Sequence, residues 1–346
     1  MKLKSSYYDD EYTRFSHVFH CVGDWNGKEK LLVEQVNERK TKLGYNHSYT
    51  LISTNNLAST YRSQGRWNEA EKLQAGVMDK MKAKLGSNHP STLGFMNNLA
   101  LTYQRQERWN EAEKLQVEVM NVRKAKLGSN HPSTLLFMNN LALTYHRQGR
   151  WNEAEKLQVE VMNATKVKLG SNHPNTLTYM SNLAFTYHSQ ERWNEAEKLQ
   201  VEVMNATKVM LGSNHPDTIM VMAYLALTYR GQERWNEAEK LQVEAVNATK
   251  AKFGSNHPDT FTSMSNLALT YRHQGRWNEA EKLQVEVLNE GKVNLGSNHP
   301  DTIRAMASLA WTYRSQGRWE EAHFLLSHAV EMMQEVMGPQ HPLKYP

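Results

Sequence analysis

The sequence predicts an all-α protein, built as a repeat array of helix pairs. Three observations carry this. The phrase RWNEAEKLQ at 66–74 returns letter for letter at 108–116, 150–158, 192–200, 234–242 and 276–284, always 42 residues on. Tryptophan keeps the same register outside those copies, at Trp25 and Trp319, and glycine keeps it from Gly44 to Gly338. Within each period the apolar residues fall at helical rather than strand spacing. Fixed self-similarity at such a length marks a repeat architecture. The 346 residues read as a single array of eight repeats over 1–346. Residues 1–47 form a degenerate N-terminal cap, 48–300 hold six near-identical copies, and 301–346 hold a changed copy and the start of a ninth.

The stretch 90–128 serves for all the copies. Its first half, PSTLGFMNNLALTYQRQ, places Met96, Leu99, Ala100 and Tyr103 at i, i+3, i+4 and i+7, one face of a helix. Pro90 suits the first helical position, where its missing N–H would have had no partner. Asp217, Asp259 and Asp301 follow the equivalent prolines, where a carboxylate favours the helix dipole. A break comes at Gln106-Glu107-Arg108. Its middle position is Gly65, Gly149, Gly275 and Gly317 elsewhere, but Glu107, Glu191 and Glu233 in three copies. That mixture predicts a turn with no left-handed residue there.

The second half, WNEAEKLQVEVMNVRKAKLG, gives another stripe at Trp109, Ala112, Leu115 and Val119. Glu111, Lys114 and Glu118 stand at the spacing of intrahelical pairs. This helix should run about 18 residues, about 27 Å. Gly128 ends it where glycine commonly follows a helix. Neither helix buries its stripe alone, so each pair must lie on the next. Ala100 and Ala112 are then small because helices approach closely. Trp109 and Tyr103 fill the space beside them. The charged letters are expected to ride on the solvent side, adding solubility and weak pairing. Met96, Met120, Met138, Met162, Met180 and Met204 read as core filling.

A large apolar residue, Leu-Ala, Tyr, a break, an aromatic, Ala and Leu appear here as Met96, Leu99, Ala100, Tyr103, Trp109, Ala112 and Leu115. This pattern resembles the tetratricopeptide repeat. The longer 42-residue period, with a Leu-Gly-x-x-His-Pro link, is similar to the repeats of kinesin light chains. It resembles more closely the near-identical arrays of fungal and bacterial NB-ARC-type signalling proteins. The resemblance implies an open right-handed α-solenoid whose first helices line a concave face. Three departures stand out. No heptad coiled coil precedes the repeats, no GxxxxGK[ST] phosphate loop occurs, and Gln116 replaces the aromatic or Leu usual beside Leu115. Since the chain stops at HPLKYP, where a ninth first helix would begin, it reads as a piece of a longer protein.

Composition narrows the function. Hydrophobic residues make up 39%, low for a globule and reasonable for a thin object with much surface. The net charge of +5 comes from 41 basic and 36 acidic residues, spread without a Lys/Arg block. No apolar run reaches the roughly 20 residues of a spanning helix, and no signal-peptide core opens the chain. Cys21 is the only cysteine, which fits a reducing, cytoplasmic setting. The Asn-x-Ser/Thr matches at 46, 163, 205 and 247 read as accidents of repeat copying.

Candidate chemistry is sparse. His47, His89, His131, His173, His215, His257, His299 and His341 form a ladder with one member per repeat, too far apart for metal ligands. They read as helix-start or loop-packing residues. Glu111 and Glu113 stand at i, i+2 and share no helix face. His20–Cys21 has no supporting motif and reads as an inert thiol. No enzyme activity, metal or cofactor is expected.

The informative contrast is internal. Second-helix letters barely change, while several first-helix positions change freely. The resemblance puts these on the lining face in three rows. The first is Asn55, Asn97, Asn139, Ser181, Ala223, Ser265 and Ala307. The second is Ser59, Leu101, Leu143, Phe185, Leu227, Leu269 and Trp311. The third is Arg62, Gln104, His146, His188, Arg230, Arg272 and Arg314, with Arg105 and Arg147 beside it. Amide and small groups, an apolar strip and a basic edge suit an acidic protein or peptide partner with apolar anchors. The expected function is a non-catalytic interaction scaffold, a sensor or adaptor arm of a signalling or transport system. One alternative is an RNA-binding helical-repeat protein. Modest charge and isolated aromatics argue against nucleic acid. A further alternative is a kinesin light chain-like cargo adaptor fragment.

Overall fold

The computed structural model describes Phe19 and residues 24–337. Cys21, His20, His341, Gly338, most of the N-terminal cap's first half and the start of a ninth repeat lie outside the described residues. Among the described residues there are helices and no strands. Long second helices are α1 (Trp25–Leu43), α3 (Trp67–Leu85), α5 (Trp109–Leu127), α7 (Trp151–Leu169), α9 (Trp193–Leu211), α11 (Trp235–Phe253), α13 (Trp277–Asn294) and α15 (Trp319–Met337). Between them come the first helices α2 (Ser48–Ser63), α4 (Pro90–Arg105), α6 (Pro132–Arg147), α8 (Pro174–Ser189), α10 (Pro216–Gly231), α12 (Pro258–His273) and α14 (Pro300–Ser315). The chain divides into two compact units, Met1–Ser171 and Asn172–Pro346. In the first, each helix from α1 to α7 packs on the next; in the second the same holds from α8 to α15.

Each first helix starts on a histidine. His131 is extended, and its Nδ1 accepts the Ser133 N–H at 3.2 Å. The same contact recurs at His47, His89, His173, His215, His257 and His299. The ladder is therefore a set of N-caps, doing with an imidazole nitrogen what Ser or Asp oxygens usually do.

The core is continuous within each pair. Met96, Leu99, Ala100, Ala112 and Val119 are buried, as are Met138, Leu141, Ala142, Ala154 and Val161. Met120, Met162 and Met204 are half-buried. In the second unit Met264, Val287, Leu288, Ile303, Met306 and Leu309 form one cluster. The tryptophans depart from expectation. Trp109 is half-buried, Trp67 and Trp151 are about 40% exposed and Trp319 is 63% exposed. Each opens a helix, so its ring lies at the rim; the alanine three residues on takes the close contact.

The place beside Leu115 is occupied by a polar core. Gln74, Gln116, Gln158, Gln200, Gln242 and Gln284 are buried. Thr102, Thr144 and Thr312 donate through Oγ1 to Gln74, Gln116 and Gln284 Oε1 at 2.6 Å. Each bond ties a second helix to the first helix of the following pair. Gln116 lies four residues after Ala112 and three before Val119, so it sat on the apolar stripe in the sequence.

The turn also departs from expectation. Glu107, Glu191 and Glu233 have φ of 59°, 59° and 60°, like Gly65, Gly149, Gly275 and Gly317 at 73–79°. The left-handed residue lets the next N–H fold back: Arg108 N reaches Tyr103 O at 2.9 Å, and Arg150 N reaches Tyr145 O at 2.9 Å. Closing the first helix this way requires positive φ whatever the side chain.

Candidate functional site

The charged letters are not passengers. Arg108 Nη1 donates to Glu71 of the preceding repeat at 2.8 Å, while Gln106 Nε2 donates to the same carboxylate at 2.8 Å and to Asn68 at 3.0 Å. Arg108 also pairs with Glu111 at 3.0 Å and covers the Tyr103 ring at 4.4 Å. The same clamp joins Arg66 to Glu29 and Arg150 to Glu113 in the first unit. In the second it joins Arg234 to Glu197, Arg276 to Glu239 and Arg318 to Glu281. A further bridge links successive second helices, as Lys124–Glu160 at 3.2 Å and Lys208–Glu244 at 2.7 Å. Glu118, placed by spacing with Lys114, is instead 3.9 Å from Lys82.

The clamp acts on titration as it does on geometry. Burial pushes Glu29, Glu239 and Glu281 up, but hydrogen bonds from the neighbouring Arg and Gln outweigh it and leave all three below the usual carboxylate range. Hydrogen bonds from Arg108 and Arg150 hold Glu111 and Glu153 low as well. These glutamates serve stability, which accounts for the second-helix letters. Among the described residues no group of three or more His, Cys, Asp or Glu is arranged to hold a metal ion.

What remains free to vary is one face of the first helices, and the three predicted rows occupy it unequally. Asn55 and Asn139 are buried. Asn98 Nδ2 donates to Asn55 Oδ1 at 3.3 Å, and Asn140 Nδ2 donates to Asn97 Oδ1 at 3.1 Å. The amide row thus spends itself between neighbouring first helices of the first unit. In the second row Leu143, Leu227 and Leu269 are half-buried, whereas Phe185 and Trp311 are exposed. Phe185 meets Tyr224 edge-on at 6.0 Å.

In the third row Arg62 donates to the Asn98 carbonyl at 3.2 Å. Arg230 and Arg272 are half-buried, and burial lowers the pKa of both. Arg314 is exposed, over Trp311 at 5.0 Å and Trp319 at 5.9 Å. A recess of about 230 Å³ opens there between Trp311, Arg314, Trp319, His323 and Leu326. Arg105 and Arg147 are exposed. Burial lowers His146 and His188, and His188 lies edge-on to Trp193 at 4.7 Å.

One exposed row was missed in the sequence: Ile52, Leu136 and Met220, with Thr178, Thr262 and Arg304 at the same register. Tyr224 was missed as well. Both vary between copies, and that variation was the available signal. They stand seven and three residues before the second row, on the same helix face.

Tetratricopeptide repeat models match residues 50–91, 92–164, 134–208, 176–251, 217–289 and 259–335. The chain belongs to the tetratricopeptide repeat family. No curated protein sequence matches it. Among solved structures, this tetratricopeptide chain is similar to a kinesin light chain-type protein of nearly identical TPR-like repeats from Podosopora anserina. The identity is 29%, over 59% of this chain and 97% of that one, with a TM-score of 0.56. The quorum sensor NprR of B. thuringiensis matches at 15% identity over 93% of this chain and 86% of that one, with a TM-score of 0.68. A signal transduction ATPase with a tetratricopeptide repeat sensor, from Pyrococcus horikoshii, matches at 16% identity. It covers 81% of this tetratricopeptide chain and 41% of its own, with a TM-score of 0.63. The last two share the fold. No described helix is long and apolar enough to cross a membrane.

Proposed function

We propose that this chain is a non-catalytic scaffold that captures a partner protein or peptide on the exposed face of its first helices. The observation that carries the reading is the division of labour within each repeat. The letters of the clamp, the caps and the buried glutamines are nearly invariant between copies. The first-helix face is not, and it gathers exposed apolar groups and two guanidinium groups, Arg230 and Arg272, that hold no carboxylate. Leu227, Leu269 and Trp311 offer apolar seats, and Arg230, Arg272 and Arg314 a basic edge, so an acidic segment with apolar anchors is the matching ligand. The sensor role printed for the Pyrococcus horikoshii protein and for the quorum sensor NprR supports a sensing or adaptor arm.

Reversing Arg230, Arg272 and Arg314 to Glu in the full chain should abolish most partner capture in a quantitative pull-down, while the helical circular dichroism stays unchanged. Undiminished capture would remove the basic edge from the mechanism.

A further inference from the structure

We propose that Arg230, Arg272 and His273 form an oxyanion receptor in the second unit, whose ligand is the phosphate monoester of a phosphorylated side chain on the partner peptide. This rests on the peptide-binding reading only for where the phosphate comes from.

Two sets of arginine contrast in the second unit. Those of the clamp, such as Arg276, hold carboxylates at 2.7–2.9 Å and lie on a tyrosine ring. Arg230 and Arg272 do neither. Among the described residues neither side chain makes a hydrogen bond or ion pair, and the Nε of each is buried without an acceptor. They end α10 and α12, one repeat apart. His273 follows Arg272 and stacks flat on Trp235, with ring centroids 4.8 Å apart and 6° between planes. Burial lowers the imidazole pKa, and the charges of Arg230 and Arg272 lower it further; no carboxylate acts on it. The negative ends of α10 and α12 offset part of this charge. The rest is uncompensated.

Half-burying a cation without a counter-ion costs free energy, and an arriving anion returns it. The ligand follows from the charge. Two guanidinium forks supply two permanent positive charges and fit tetrahedral or planar oxyanions in bidentate fashion. His273 adds a third charge when an anion draws a proton onto it. A carboxylate brings one charge and two oxygens. A phosphate monoester brings about −1.5 to −2 and three acceptor oxygens, the closer match. The counterpart in the first unit is not equivalent, because Arg62 is spent on the Asn98 carbonyl.

The test uses the full chain with ¹⁵N labelling, following the Arg230 and Arg272 Nε–H signals and the His273 ring while phenyl phosphate is titrated. All three should shift together and saturate. Phenyl phosphate should bind about tenfold more tightly than benzoate, and Arg230→Gln and Arg272→Gln should each lose about tenfold. Wild-type affinity should rise relative to His273→Gln as pH falls from about 7.5 to about 6, because the anion favours the protonated imidazole; the ligand's own titration is common to both proteins. Signals that stay fixed in the wild-type titration overturn the receptor. Equal binding of benzoate overturns the phosphate assignment. Preferential binding of a single-stranded oligouridylate at the same signals overturns it in favour of nucleic acid. Phosphate binding without partner capture would sink the peptide reading alone, and partner capture without phosphate binding would sink the receptor alone.

Discussion

Two turn positions in each repeat show how much a single backbone angle decides. Gly128 ends α5 at φ 83° and ψ 161°, a region essentially reserved for glycine. Every described copy has glycine there, from Gly44 to Gly296. The turn between the two helices asks less. Its residue is left-handed, and Glu107 adopts that conformation at φ 59°. A left-handed side chain costs roughly 1–2 kcal/mol, which a long repeat tolerates. So the first glycine is invariant and the second is not. Glu107→Gly, Glu191→Gly and Glu233→Gly should each stabilise the chain by about 0.5–1 kcal/mol, adding nearly independently in urea unfolding. In the opposite direction, a Cβ built on Gly149 meets nothing within 4 Å, so Gly149→Glu should cost only this backbone strain. A destabilised Glu107→Gly would show that the left-handed assignment is wrong.

At the scale of the element, neighbouring pairs are joined by polar groups as well as by oil. Gln116 and Thr144 form a buried hydrogen bond, yet Gln116 Nε2 is left without a partner. Removing the threonine hydroxyl strands the glutamine oxygen too, so Thr144→Val should cost about 1–3 kcal/mol. Gln116→Leu deletes the unpaired amide, and the Thr144 hydroxyl keeps the Asn140 carbonyl, 3.2 Å away, as its acceptor, so this change should be close to neutral. A melting curve that ranks the two the other way would contradict this. The clamp can be tested in the same unit. Glu113 takes Arg150 at 2.7 Å and Gln148 at 2.9 Å, with both ends of the ion pair partly exposed. A double-mutant cycle of Glu113→Gln and Arg150→Met should yield a coupling of about 0.5–1 kcal/mol that shrinks in high salt. Zero coupling would return these letters to the role of solubilising surface.

At the scale of the molecule, repeated small effects add up, and pH reads them together. Burial holds the folded-state pKa of His146 and His188 below the ordinary histidine value, and burial with two arginine charges does so for His273. An unfolded chain therefore takes up protons first, and stability should fall as pH drops through about 6.5. The clamp glutamates have the opposite charge type and act later. Their folded-state values are depressed, so their contribution is complete at neutral pH and is lost as pH falls below the ordinary carboxylate value. Thermal melts should show a first decline between about pH 7 and 5.5, which His146→Gln, His188→Gln and His273→Gln together flatten, and a steeper one below about pH 4.5. An unchanged first decline in the triple variant would locate it elsewhere.

Period, helix boundaries and core stripe were legible in the sequence because each rests on local rules that 42 residues repeat. Proline after histidine starts a helix, glycine ends one, and apolar residues at i, i+3 and i+4 must face a neighbour. The family and the absence of a phosphate loop could be read for the same reason. The use of the charged letters could not. Glu71 meets Arg108 across 37 positions, and nothing local distinguishes that pair from Glu111 with Lys114. The left-handed glutamates were hidden because propensity speaks of averages, while closure of the first helix compels one residue. Nor could spacing separate Arg272 from Arg276. Only packing decides which guanidinium finds a carboxylate and which is left half-buried with its charge unanswered, because electrostatic pairing depends on distance in space and not along the chain.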